Sequence, residues 1–299
     1  MKKRKVGQSD IEISELSLGC MSLPPNLEDA KPVIETALEQ GINYFDTADL
    51  YDRGVNEEIL GQVIKPHRKE VILATKVGNR WHEDKDGWFW DASPDHIKNG
   101  LKMSLRRLQT DYIDLYQLHG GTIDDSWDEI IETFEELKKE GLIRQYGISS
   151  IRPNVFRPFT QKSNCVSNMM QYSMLDRRAE EWFDLIASNG ASVVTRGSIA
   201  KGLLTKTWGS RLDKIASYIS YSKEELAQIL EQLESEYEDI HAAALAFNLS
   251  HPAIATTVIG ARTTEQLLEN VKAYEKAKNI KNIANVNNFL KRDIYQEHR

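Results

Sequence analysis

Four polar side chains stand at or just beyond the ends of apolar runs, and together they could deliver a proton to a carbonyl oxygen. Asp46 and Tyr51 bound the stretch D-T-A-D-L-Y, Lys76 closes the run Val71–Lys76, and His119 follows Ile113–Gln117. Reducing a carbonyl by hydride transfer creates an alkoxide-like oxygen that needs a proton and hydrogen-bond donors. A phenol, with an ordinary pKa of about 10, is a reluctant acid at neutral pH. An ammonium beside it stabilises the phenolate, and a carboxylate anchors the ammonium and keeps it charged. A histidine can orient the carbonyl or assist the proton movement. Such a set requires no metal.

Taken singly, three of these residues have plainer readings. Asp46 could cap a helix, Tyr51 could be a loop aromatic, and His119 a satisfied polar core residue. Lys76 resists that treatment, because an unpaired ammonium at the end of an apolar strand is costly to bury.

Whether the four can meet depends on the elements that carry them. Short β-prone runs alternate with amphipathic helical segments along the chain. Strands are expected at Glu15–Gly19, Asn43–Asp46, Val71–Lys76, Ile113–Gln117, Gln145–Ser149, Ser167–Gln171, Ser192–Arg196 and Thr256–Ile259. Helices are expected between them, at Glu28–Gln40, Glu57–Ile64, Pro94–Leu108, Asp128–Lys139, Asn154–Thr160, Glu180–Asn189 and Glu224–Tyr237. Eight strands each followed by a helix point to the α/β class, as a (β/α)8 TIM barrel.

Local signals agree. Ser93 with Pro94 reads as an N-cap followed by proline in the first turn, and Ser222 with Glu225 as a capping box. Lys3–Val6 and Ile11–Ile13 form an expected hairpin outside the repeat, plugging the barrel bottom, and extra C-terminal helical structure is expected beyond Asn279. Two long connections, Gly78–Ala92 and Leu203–Tyr221, both follow strands and so belong to the C-terminal mouth, where barrel active sites form. The first holds Trp81, Trp88, Phe89 and Trp90, and its tryptophans are candidates for an apolar substrate wall or for an anchored lid. No low-complexity linker divides the chain, so 1–299 reads as a single barrel domain.

Composition excludes several classes. With 38 basic and 45 acidic residues the net charge is −7, which argues against nucleic acid as a partner. Only Cys20 and Cys165 are present, without metal-ligand spacing, so neither a disulfide framework nor a structural zinc site is expected. The basic N-terminus lacks the apolar stretch of a signal peptide, and no apolar run approaches the roughly 18 residues of a membrane span. A cytoplasmic protein is expected.

The segments G-I-N-Y-F-D-T-A-D-L-Y, I-L-A-T-K-V, D-Y-I-D-L-Y-Q-L-H and G-I-S-S resemble the diagnostic segments of the aldo-keto reductases, in order from about Lys3 to Asn270. The likeness is greatest to the soluble bacterial branch that also resembles the potassium-channel β subunits. It implies a catalytic tetrad of Asp46, Tyr51, Lys76 and His119, and NADPH or NADP+ lying across the barrel mouth. No G-x-G-x-x-G turn follows a strand, so a Rossmann site is not supported.

By the same resemblance, Ser149 and Gln171 would bond the nicotinamide carboxamide, while Ser150 stands where relatives often carry asparagine. The loop Thr195–Leu204 would wrap the pyrophosphate, with Gly197, Ser198 and Gly202 allowing close backbone approach and Lys201 either adding charge or simply solvated. Val258–Asn270 resembles the adenosine 2′-phosphate motif, with Gly260 and Arg262 at a helix N-terminus and Gln266 and Asn270 facing adenine. A rival reading makes Thr263 and Gln266 only a capping box. Met21 and Asp46 complete the expected cofactor contacts. Arg196 replaces an aromatic residue that stacks on the nicotinamide in many relatives; it either stacks in turn or pairs with a carboxylate. The resemblance implies NADPH-dependent reduction of small aldehydes or ketones by a monomer; the alternative is a redox-sensing NADPH-binding module acting through a partner protein.

Overall fold

Apolar runs separated by amphipathic helices become parallel strands, because each helical crossover returns the chain to the same end of the sheet. The computed structural model describes all of residues 1–299. Strands β1 (Lys3–Lys5) and β2 (Glu12–Ser14) precede β3 (Leu16–Gly19), β4 (Tyr44–Asp46) and β5 (Ile72–Val77). Strands β6 (Asn79–Trp81) and β7 (Trp88–Trp90) come next, followed by β8 (Ile113–His119), β9 (Ile143–Ser149), β10 (Ser167–Gln171) and β11 (Ser192–Arg196). The last are β12 (Ser217–Tyr218), β13 (Tyr221–Ser222) and β14 (Ile254–Gly260). Strands β10, β11, β14, β3, β4, β5, β8 and β9 close, in that order, into a parallel barrel. Helices α1 (Leu27–Glu39), α2 (Val55–Ile64), α3 (Pro94–Arg107), α4 (Trp127–Lys139), α5 (Pro153–Lys162) and α6 (Phe183–Ser188) fill successive crossovers. The crossover before β14 holds three helices, α7 (Trp208–Leu212), α8 (Lys223–Glu236) and α9 (Ile240–Ser250), and α10 (Thr264–Ala277) follows β14.

Alternation along each strand splits the buried side chains into two cores. One, including Leu18, Phe45, Leu73 and Leu118, meets the helices. The other draws almost wholly on strand and hairpin residues, among them Tyr44, Ala74, Leu115, Met169, Val194 and Val258, and fills the barrel. Val6, Ile11 and Ile13 belong to this inner set, so the β1–β2 hairpin does close the barrel bottom. Gly7 at its turn has φ +53°, and a Cβ there would collide with the carbonyl oxygens of Gly190 and Val166.

Several elements differ from expectation for physical reasons. Gly78–Ala92 is largely a hairpin, β6 pairing with β7 from Asn79↔Trp90 to Trp81↔Trp88. Helix α9 gives no amphipathic signal because it is buried on most of its surface, from Ile240 through Leu245 and again at Phe247 and Asn248. The stretch Glu180–Asn189 is a 3-10 turn, Glu180–Trp182, leading into the short α6. Beyond Asn279 the tail forms one 3-10 segment, Ile283–Asn288, before running irregularly; its asparagines compete for backbone hydrogen bonds and disfavour an α-helix.

Candidate active site

The same alternation that builds the inner core also places the polar groups. Asp46, Lys76 and Gln117 each lie two residues beyond an interior residue, Tyr44, Ala74 and Leu115, and so point inward one layer higher. Register brings their strands level: Gly19 pairs with Asp46, Lys76 with Gln117, and His119 with Ser149. Tyr51 enters from the turn after β4, a 3-10 segment Tyr51–Gly54 that leads into α2.

Lys76 is the hub. Its side chain is 1% exposed, and its Nζ donates to Asp46 Oδ2 at 2.6 Å, to the Thr47 carbonyl at 2.7 Å and to the Tyr51 hydroxyl at 3.3 Å. An ammonium carries three protons, and here each has an acceptor. Gln117 Nε2 donates to the other Asp46 oxygen at 3.2 Å. Neither Gln117 nor the Thr47 carbonyl was singled out from sequence. Gln117 shares strand parity with His119, and that was the available signal.

Burial works against the Lys76 ammonium, but the charge of Asp46 and its hydrogen bond outweigh it and hold the Lys76 pKa above the ordinary lysine value. Burial pushes Asp46 upward, with Lys76 pulling the other way. His119 is pushed down to about 3 by burial, helped by the charges of Lys76 and Arg196. It is therefore neutral at physiological pH. Its Nδ1 is buried without a protein partner, and its ring meets Tyr51 edge-on with centroids 6.1 Å apart. A donor hydroxyl, a buried cation bonded to it and a neutral imidazole thus share one small volume.

Around the mouth lie the other expected positions. Gln171 and Arg196 are register partners at the ends of β10 and β11. Arg196 donates to Gln171 Oε1 at 3.2 Å and makes no ion pair, while Gln171 donates to Asp176 at 2.8 Å. Ser149 ends β9, and its carbonyl accepts from the Gly120 amide at 3.1 Å. The Ser150 amide donates to Asn168 Oδ1 at 3.4 Å.

The loop after β11 bends tightly, with positive φ at Gly197, Ala200, Lys201 and Gly202, and it buries the Ser198 hydroxyl without a partner. At the next strand end, Gly260 lies so close to Ser22 that a Cβ would collide with its hydroxyl. Thr263 caps α10 by accepting from the Gln266 amide at 3.3 Å, and Gln266 Oε1 accepts from the Arg262 amide at 2.9 Å. The capping reading therefore holds in part, and it leaves the Arg262 guanidinium exposed and unpaired. Asn270 is buried one turn further on, its Nδ2 donating to the Gly260 carbonyl at 3.5 Å.

Met21 and the aromatic hairpin frame the open side. Trp81 and Trp88 join Met21, Leu50, Tyr51, Asp52 and Arg53 in lining a cavity of about 530 Å³. Trp90 lies elsewhere, against Gly120 and beneath the Arg152 guanidinium, 4.1 Å from its ring. No group of three or more His, Cys, Asp or Glu side chains is placed to hold a metal ion. No helix is long and apolar enough to cross a membrane.

A closed parallel barrel with this buried lysine, carboxylate and phenol at its C-terminal mouth agrees with what comparison finds. The aldo/keto reductase family matches residues 15–291, and the chain belongs to that family of oxidoreductases. It is 51% identical to the uncharacterized oxidoreductase YqkF of Bacillus subtilis (strain 168) over the whole of both chains. It is 32% identical to the NADH-specific methylglyoxal reductase of Escherichia coli (strain K12), covering 91% of this chain and 93% of that one. Among solved structures, the holo form of aldo-keto reductase AKR11C1 from Bacillus halodurans superimposes with a TM-score of 0.94 at 50% identity, over all of this chain and 99% of that one.

Proposed function

We propose that the protein reduces a small aldehyde or ketone to the alcohol with NADPH, Tyr51 supplying the proton. The observation that carries this reading is the buried Lys76 ammonium, bonded at once to Asp46 and to the Tyr51 hydroxyl. A carbonyl oxygen held between Tyr51 and His119 meets two donors. His119, neutral because its pKa lies at about 3, acts through a ring N–H as an orienting donor rather than as the acid. Tyr51 gives its proton to the oxygen as negative charge develops there. Lys76 then stabilises the phenolate by hydrogen bond and charge, and Asp46 keeps Lys76 charged and in place. A reduced nicotinamide bound across the mouth would supply the hydride.

The residues present suit such a cofactor. The buried, unpartnered Ser198 hydroxyl and the positive-φ loop around it offer donors and close backbone approach to phosphates. Arg262, unpaired beside the N-terminus of α10, supports a 2′-phosphate and hence NADPH over NADH. Oxidation of NADPH and of NADH with a panel of aldehydes and ketones tests both points. Tyr51→Phe is expected to lower turnover by about 10²–10⁴-fold. Turnover that survives loss of the phenol would overturn the assignment, and equal use of both cofactors would remove Arg262 from it.

A further inference from the structure

Most arginines whose side chains are at least half-buried meet a carboxylate: Arg4 pairs with Glu15, Arg68 and Arg144 with Asp114, Arg107 with Glu57, Arg177 with Glu180 and Arg178 with Asp176. Arg53 does not. Its guanidinium lies 4.6 Å over the Trp81 ring, in the wall of the cavity that Tyr51 also lines, and it takes part in no ion pair or side-chain hydrogen bond. What sets it apart from the other exposed arginines is its place over an indole and beside the expected general acid.

The backbone sharpens the question. Asp52 and Arg53 have φ of +49° and +54°, the left-handed region that non-glycine residues avoid. Two such residues in succession store strain, and strain of this kind is maintained where a functional geometry requires it. Here it turns the chain immediately after Tyr51 so that Arg53 reaches back over Trp81. Held over the indole and bonded to no other side chain, the guanidinium keeps its N–H groups free, a planar fork that matches a carboxylate. The remaining wall is mostly apolar, with Met21, Leu50 and Trp88 beside Trp81.

We infer that Arg53 is a specificity-determining residue that anchors the carboxylate of a carbonyl substrate whose apolar body lies between Trp81 and Trp88. The inference rests on the carbonyl-reduction reading for its chemistry, but its binding consequence can be measured separately. The exposed Asp52 carboxylate lines the same cavity and opposes an anion, and Arg53 also borders an adjoining cavity lined by Asp49, Asp91 and Asp95, so the anchor acts against more than one carboxylate.

The experiment compares 4-carboxybenzaldehyde, an anion at neutral pH, with 4-methylbenzaldehyde, of similar shape and uncharged. The wild-type enzyme is expected to show a KM at least about tenfold lower for the carboxylated aldehyde, the scale of one charge-assisted hydrogen bond. Arg53→Met should bring the ratio of the two KM values to within about twofold of unity, Arg53→Lys should retain part of it, and Asp52→Asn should increase it. A wild type without preference, or a preference that survives Arg53→Met, overturns the inference. In parallel, 4-carboxybenzyl and 4-methylbenzyl alcohols are titrated into the NADP+-bound protein by quenching of tryptophan fluorescence. Preferential binding of the carboxylated alcohol, lost in Arg53→Met, supports the anchor even if neither aldehyde is turned over, and equal binding overturns it. Absence of turnover alone would count against the reductase reading instead.

Discussion

The centre of the mouth and its rim are built by opposite rules. At the centre, Asp46, Lys76, Gln117 and Tyr51 form a connected network held by strand ends, with every ammonium proton of Lys76 assigned. At the rim, Arg53 and Arg152 lie over indoles and Arg262 lies free, none of them paired with a carboxylate; the turn at Arg53 takes positive φ at Asp52 and Arg53, and the loop after β11 does so at Ala200 and Lys201. On the proposed reading, the difference separates two tasks. A proton donor must already be organised when the reaction occurs, whereas groups that recognise a substrate or cofactor must keep their hydrogen-bonding capacity for it.

The largest break in this comparison is expected at Lys76. Lys76→Met leaves the buried Asp46 carboxylate with Gln117 but no cation, a loss on the order of 3–5 kcal/mol of stability for a broken buried pair, together with loss of turnover. The sign of its pH dependence follows. Without the ammonium, Asp46 is pushed further above the ordinary carboxylate value, so it takes up a proton on folding and the deficit shrinks as pH falls. The double variant Asp46→Leu with Lys76→Met, which removes both charges, should regain much of the loss in urea unfolding. Equal unfolding of the single and double variants would show that the unpaired charge is not the cause. Arg152→Met, at the rim, should change stability by less than about 1 kcal/mol by the same measurement.

The contrast also explains what sequence could disclose. The convergence of Asp46, Tyr51, Lys76 and His119 was legible because each ends or follows a strand, and barrel topology sends all strand ends to one mouth. Gln117 closes the expected strand Ile113–Gln117, yet nothing in that run says which neighbour it faces until the Lys76↔Gln117 register is known. Arg53 was hidden for a different reason, since its importance lies in a left-handed backbone that its residue type gives no reason to expect. Trp81 and Trp90 were indistinguishable as aromatic loop residues, and only the hairpin register sends one to the cavity and the other behind Gly120. Helix α9 was missed because burial on most of its surface erases the periodicity by which helices are recognised. Pattern reveals elements that are half-exposed, and reveals side chains whose role follows from position along one strand; it is silent where the role depends on a second strand or on a rare backbone conformation.

A smaller effect separates centre from rim through pH. His119 is held at about 3, well below the ordinary histidine value, so the unfolded chain binds a proton that the folded protein does not. Stability contributed by this neutral burial is present above about pH 6.5 and is lost as pH falls toward the folded value. Between pH 6.5 and 5 this amounts to at most about 2 kcal/mol, at about 1.4 kcal/mol for each pH unit. His119→Gln should flatten that part of the stability profile measured by urea unfolding, and wild-type turnover should show no histidine step near pH 6.5. A step there that disappears in His119→Gln would make His119 an ionising participant and return the choice of acid to the pair.

The smallest expected effect lies where centre and rim meet, at Arg196. Its charge reaches inward, contributing to the low pKa of His119, while its guanidinium is exposed, bonded only to Gln171 and without a carboxylate partner. The reading of Arg196 as a structural ion-pair residue therefore has no support. A guanidinium beside a nicotinamide would disfavour the positively charged oxidised ring relative to the neutral reduced one, by an amount that solvent exposure keeps small. Arg196→Tyr keeps a planar group that can stack and removes the charge. The ratio of affinities for NADPH and NADP+, measured by fluorescence titration of each, should narrow by roughly three- to fivefold, the scale of about 1 kcal/mol or less. An unchanged ratio would mean that the charge acts only inward, on His119, and would assign Arg196 to the centre rather than to the rim.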